Sequence, residues 1–125
     1  MGGVENEERT LFRWTVDDPW TWEEMDTVWH EYVRMVDSVG HRVDGLIDLR
    51  HNHSAPPNAL TMMQTRYATL TPNTGLIIMI CAPAIIKALI AVMRRINPAV
   101  YNHYHFVATF DEAYDMLAFE RVPHH

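Results

Sequence analysis

The stretch Leu76-Ile77-Ile78-Met79-Ile80-Cys81-Ala82-Pro83-Ala84-Ile85-Ile86-Lys87-Ala88-Leu89-Ile90-Ala91-Val92-Met93 decides the fold. Lys87 is its only charge, and its length invites a transmembrane reading. Pro83 splits it. Leu76 to Ala82 is rich in β-branched residues without polar alternation, which describes a strand apolar on both faces, central in a covered sheet. From Ala84 to Ile96 the apolar residues fall at helical steps, with Ile85, Ile86, Leu89, Ile90, Met93 and Ile96 expected inward. A buried strand, a turn and an amphipathic helix explain the run, and no membrane span is expected. Asn97-Pro98 stops the helix. Cys81, the single cysteine, sits among aliphatics and reads as a buried core thiol rather than a nucleophile. One cysteine forms no internal disulfide, which excludes a disulfide-stapled secreted fold.

The same alternation of strand and helix extends in both directions. Thr10 to Val16 alternates, with Phe12, Trp14 and Val16 on one face and Leu11, Arg13 and Thr15 on the other. Asp17-Asp18-Pro19 ends that strand. Thr21 and Glu24 form a capping box for a helix whose apolar stripe is Met25, Val28, Trp29, Tyr32, Val33 and Val36. Gly40 is expected as its C-cap. Val43 to Leu49 is a second strand. Ser54 is expected to cap a second helix carrying Leu60, Met63, Tyr67 and Leu70, with a propensity weakened by Thr61, Thr65 and Thr69. Thr71 to Gly75 is a turn. His103 to Ala108 is the last strand, and Thr109 and Glu112 cap a final helix. Strands alternating with helices predict an α/β fold: a four-stranded, mostly parallel sheet with four helices in β-α repeats.

Length and composition bound the rest. The chain has 125 residues, 48% hydrophobic and 21% charged, which suits a single globular domain and excludes disorder over most of it. The predicted organisation is a disordered tail over 1–9, one domain over 10–121 and a tail over 122–125. His124 and His125 are set aside as the stub of a tag. The net charge of -6 argues against nucleic acid as a partner. Arg94-Arg95, the one basic doublet, complements a helix C-terminus. The polar start holds no signal peptide, and a cytoplasmic location is expected.

Three segments carry a family resemblance: Trp-Thr-Trp-Glu-Glu-Met at 20–25 after Pro19, Gly-Leu-Ile-Asp-Leu at 45–49, and Phe-Val-Ala-Thr-Phe-Asp-Glu-Ala-Tyr-Asp-Met-Leu at 106–117. Across roughly residues 10 to 121 the chain resembles the STAS fold of anti-sigma-factor antagonists, in its small stand-alone STAS/SEC14-like branch. The resemblance implies a non-enzymatic, bacterial signalling module that docks reversibly on a protein partner. It also implies phosphorylation of a serine at the start of the second helix, which here falls at Ser54. A phosphate there would meet helix amides. The family's Asp-Ser-Ser-Gly-Leu motif is absent, and the loop reads Arg50-His51-Asn52-His53-Ser54-Ala55-Pro56-Pro57.

No catalytic residue set, Gly-rich phosphate loop or cofactor motif is present, so neither an enzyme nor a cofactor is expected. The sharpest polar cluster is Asp48, His51, His53 and Ser54, beyond the carboxyl end of a strand where ligands of open parallel sheets bind. His51-x-His53 is a weak metal candidate with Asp48 beside it, and a weaker acid-base one. His103 and His105 precede or begin a strand, so a parallel sheet places them at the opposite rim. His30, His41, Glu23, Glu24, Asp26 and Glu31 read as solvated helix-flanking groups. Trp20 and Trp22, near Trp14 and Trp29, mark a larger edge of the core, a partner or homodimer contact, or the wall of an apolar pocket, as the SEC14-like label suggests. The expected docking surface is Asp48, His51, His53, Ser54, Trp20 and Trp22. The alternative is a carrier or sensor of a small apolar ligand.

Overall fold

The computed structural model describes residues 1–121. The expected tail at 122–125, with His124 and His125, lies outside the described residues. The strands are β1 (Gly2–Glu5), β2 (Leu11–Thr15), β3 (Val43–Asp48), β4 (Thr74–Ile80) and β5 (Tyr104–Val107). The helices are α1 (Trp22–Asp37), α2 (Ala59–Thr65), α3 (Ala84–Ile96), the single-turn α4 (Pro98–Tyr101) and α5 (Phe110–Arg121). The strands form one mixed sheet in the order β1-β2-β3-β4-β5, antiparallel between β1 and β2 and parallel elsewhere. The α/β class holds, but among the described residues the sheet has five strands and the helices number five, one more of each than the sequence suggested.

The additional strand is β1, in the segment expected to be a disordered tail. Its one apolar residue, Val4, is exposed, so it has no apolar face to betray it. It is an edge strand held by backbone pairing to β2, from Gly2 opposite Thr15 to Glu5 opposite Phe12. Gly3 is required here, because a Cβ would run into the Phe12 ring. Asn6 closes the connection: its Oδ1 accepts from the amides of Thr10 (2.8 Å) and Leu11 (3.1 Å). The additional helix is α4, where Pro98 ends α3 and opens the next turn.

Strands in sequence order joined by crossovers of one hand place every crossover helix on one face. Packing follows that rule. Phe12, Trp14, Ile47, Ile77, Met79 and Tyr104 point to one side, against Val28 and Tyr32 of α1, Ile90 and Met93 of α3 and Val100 and Tyr101 of α4. Their sequence neighbours Leu11, Leu46, Ile78 and Ile80 point to the other, against Ala113 and Leu117 of α5. The capping box of α1 forms as predicted, with Thr21 Oγ1 accepting from the Glu24 amide (3.2 Å) and Glu24 Oε1 from the Thr21 amide (3.2 Å). At α5 Thr109 Oγ1 caps the Glu112 amide (3.1 Å), while the Glu112 carboxylate reaches one residue further back, to the Ala108 amide (3.1 Å).

Four local expectations change. Helix α1 ends at Ser38, whose hydroxyl donates to the Met35 carbonyl at 2.7 Å, and Gly40 is not a left-handed cap, since no glycine has positive φ among the described residues. Helix α2 starts at Ala59, not at Ser54, because Ala55 and Pro56 each precede a proline and are turned away from helical backbone, and the chain enters the helix through a turn at Pro57 and a left-handed Asn58 (φ 66°). Cys81 is exposed. It sits just past the end of β4 with φ 55°, and its thiol turns out to the Ala108 carbonyl (2.9 Å). In α3, Ile85 and Ile96 are exposed, with Val92, because the apolar arc of this helix is wider than the face that meets the sheet. No helix among the described residues is long and apolar enough to cross a membrane.

Candidate functional site

Two features sit beyond the carboxyl ends of the strands: the loop after β3 and a cavity beneath α1, α2 and α3. In the loop, Asp48 closes the strand and is nearly buried, and Arg50 takes up its carboxylate. The Arg50 amide (3.0 Å) and Nε (3.0 Å) both donate to Oδ1, and Nη2 donates to Oδ2 (2.9 Å). Burial pushes the Asp48 carboxyl upward, but the bonds from Arg50 outweigh it and hold it below its ordinary value. The Arg50 guanidinium lies 4.8 Å from the Phe110 ring centre, on the α5 side of the sheet. Asp48 is therefore committed to Arg50. His51 and His53 are exposed, and no cluster of metal-ligating side chains occurs among the described residues. His103 lies at the opposite rim, where its Nδ1 is 2.8 Å from the Gly75 carbonyl oxygen. His105 stands within β5, its pKa lowered first by burial and then by Arg94.

The loop is fastened through Asp18, a residue the sequence reading took only as a strand stop. Its Oδ1 accepts from Asn52 Nδ2 (3.0 Å), its Oδ2 from the His53 amide (2.7 Å), and its own amide donates to the His51 carbonyl (3.3 Å). Asn52 is buried as the pin of this clamp. His51, His53 and Ser54 are left exposed around it. Ser54 lies five residues before α2 and makes no cap, so the helix amides expected to receive a phosphate are not beside it.

The tryptophan pair is not an open surface patch: Trp20 is buried and Trp22 half-buried. Trp20 is only 9% exposed. Trp22, fixed at the first position of α1 by the Thr21 cap, donates its Nε1–H to the Pro57 carbonyl (2.9 Å) and meets Trp20 edge to face at 4.9 Å. With Trp14 and Trp29 they wall a cavity of about 90 Å³, completed by Met25, Met63 and Met79 and by Ala55 and Ala59. Its lining is almost wholly apolar. The floor is tyrosine: the Tyr101 hydroxyl donates to the Tyr67 carbonyl (2.9 Å), and Tyr101 stacks on Tyr104 at 5.1 Å. Burial raises both phenols, Tyr101 to about 12 and Tyr104 well above its ordinary value.

Trp29 and Tyr67, in edge contact at 5.3 Å, also line an open outer groove of about 690 Å³ between α1 and the segment 66–72. The two rings form a partition between cavity and groove. The Tyr67 hydroxyl holds it shut by donating to Asp26, which also pairs with Arg66. Burial and the Asp26 contact keep the Tyr67 phenol protonated by raising its pKa. Inside the wall, the indole N–H groups of Trp14 and Trp20 are buried with no acceptor, each costing on the order of 1–3 kcal/mol. Sequence reading singled out the tryptophans but not Tyr67 or Met63, whose helix face looked like ordinary core, nor Tyr101, which lies in the unexpected turn α4. No family model, curated protein or solved structure matches this chain.

Proposed function

We propose that the protein is a non-enzymatic binding module that holds a small, largely apolar molecule between the sheet and α1, α2 and α3, as a carrier or sensor. The observation that carries this is the cavity itself. Its volume of about 90 Å³ exceeds the room of a single water, and its wall offers water almost no partner. Four tryptophans line it, an aromatic investment that a closed core does not need. Three methionines, Met25, Met63 and Met79, make the wall adaptable, so that a ligand larger than the empty space can be admitted by rotamer change.

A second reading, docking on a protein partner in the manner the STAS resemblance implies, has one observation in its favour. The loop bearing His51, His53 and Ser54 is exposed yet anchored by Asp18 and Asn52, which suits a presented contact surface. The missing motif and the distance of Ser54 from α2 weigh against a phosphate switch there.

Native mass spectrometry of untagged protein from its own host separates the two. The binding reading predicts a non-covalent small-molecule adduct that is lost from the Ala59→Met variant, whose side chain fills the cavity. A bare chain in both forms, with phosphate on Ser54 or a co-purified protein, would replace it with the docking reading.

A further inference from the structure

Within the binding reading above, on which this inference rests, the two unpartnered indoles say more about the ligand. Trp14 stands on β2 at 4% exposure and Trp20 precedes α1 at 9%, so neither N–H reaches bulk water. Neither finds an acceptor in the protein. By contrast Trp22, in the same wall, spends its N–H on the Pro57 carbonyl at 2.9 Å. Neighbouring rings offer Trp14 and Trp20 only weak N–H···π contacts, Trp14 with Phe12 and Tyr32 at 5.5 Å and Trp20 with Trp22 at 4.9 Å. Buried donors without partners are rare in folded chains and call for an explanation. Here the two residues that carry them line one cavity.

We infer that the ligand carries a hydrogen-bond acceptor without a donor, flanked by apolar groups, and that it accepts from the indole N–H of Trp14, of Trp20 or of both. Ketones, esters and ethers fit that description. Alkanes leave the donors unmet, and a carboxylate would enter a wall that holds no cation to balance it. Both N–H groups are covered in this structure, so an acceptor reaches them only by a shift of the wall, for which the flexible methionines of the lining give room.

The test uses the full chain labelled with nitrogen-15 and two probes of one shape, 2-pentanone and 2-methyl-1-pentene, in which the carbonyl oxygen becomes a methylene. The ketone is expected to move the Nε1–H resonances of Trp14 or Trp20 downfield while leaving that of Trp22, and the alkene to move neither in that sense. The affinity ratio of ketone to alkene is expected to fall about ten-fold in Trp14→Phe or Trp20→Phe. Taking a ratio cancels any change in cavity size. Both probes binding with no downfield shift and an unchanged ratio would overturn the acceptor and leave the apolar cavity standing. Neither probe binding would overturn the cavity reading itself. If the variants do not fold, the resonance shifts in the unsubstituted chain decide alone.

Discussion

The two faces of the sheet are built from alternate residues of the same strands, yet they differ in kind. The face under α5 is a small aliphatic layer of Leu11, Leu46, Ile78, Ile80, Ala113 and Leu117. The face under α1, α3 and α4 is aromatic, with Phe12, Trp14, Trp20, Tyr32, Tyr101 and Tyr104 in its buried core. Aliphatic side chains interdigitate to high density, whereas large rigid rings meet edge to face and leave gaps at their corners. The cavity lies on the aromatic side for that reason. One layer is filled by aliphatic side chains, and the other encloses the cavity on which the binding proposal rests.

Substitutions on adjacent residues of one strand put the contrast to a test. Ile78→Ala, on the closed face with 0% exposure, is expected to lose about 3–5 kcal/mol of unfolding free energy in a urea titration. Met79→Ala, which enlarges a wall already bordering free space, is expected to lose about 2 kcal/mol. Equal losses would mean that the two faces are packed alike.

Alkali should act on the aromatic face alone. Tyr32, Tyr67, Tyr101 and Tyr104 all have phenols raised above the ordinary value of 10.0 by burial. The folded state thus prefers the protonated phenols. Their stabilisation is complete below that ordinary value and drains away as the pH rises from it through the folded values, about 12 for Tyr101. Circular dichroism should keep its tertiary signal up to about pH 10, where the phenols of an unfolded chain begin to charge, and lose it as the pH rises from there toward about 12. Normal phenolate absorbance rising without that collapse would show the tyrosines to be accessible.

Two smaller effects sharpen the account of how the cavity's rim is held. Asp18→Ala removes the acceptor of Asn52 Nδ2 and the His53 amide and is expected to cost about 1–3 kcal/mol, with faster amide exchange across residues 51–54. Thr21→Ala removes the cap that fixes Trp22 and is expected to cost about 1 kcal/mol. A loop whose exchange is unchanged in the first variant would show that the clamp does not order it.

How much of this the sequence disclosed depended on whether the signal was local. The Thr21 and Glu24 pair, the alternation of Phe12 and Trp14 with Leu11 and Arg13, and the unbroken run at Leu76 to Ile80 are local, and each led to the right element. Strand β1 was hidden because an edge strand is specified by its partner's backbone, not by its own pattern. Cys81 looked buried because it continued an apolar run, but the strand stops at Ile80 and the next residue turns outward. Asp18 and Asn52 are 34 residues apart and no spacing rule joins them. The cavity was half legible: a cluster of tryptophans suggested a core edge, a pocket or a contact patch. Only the bond from Trp22 to Pro57 and the meeting of Trp29 with Tyr67 show the rings turned inward.

The central claim is that the aromatic face contains a receptive apolar cavity, and xenon tests it without knowledge of the natural ligand, since it enters dry apolar cavities. A xenon-129 titration of the unsubstituted chain should give a saturable chemical-shift change that disappears in Ala59→Met, with both chains equally stable to within about 1 kcal/mol. An identical, non-saturating response from the two chains would contradict the claim and leave the tryptophans as a closed core.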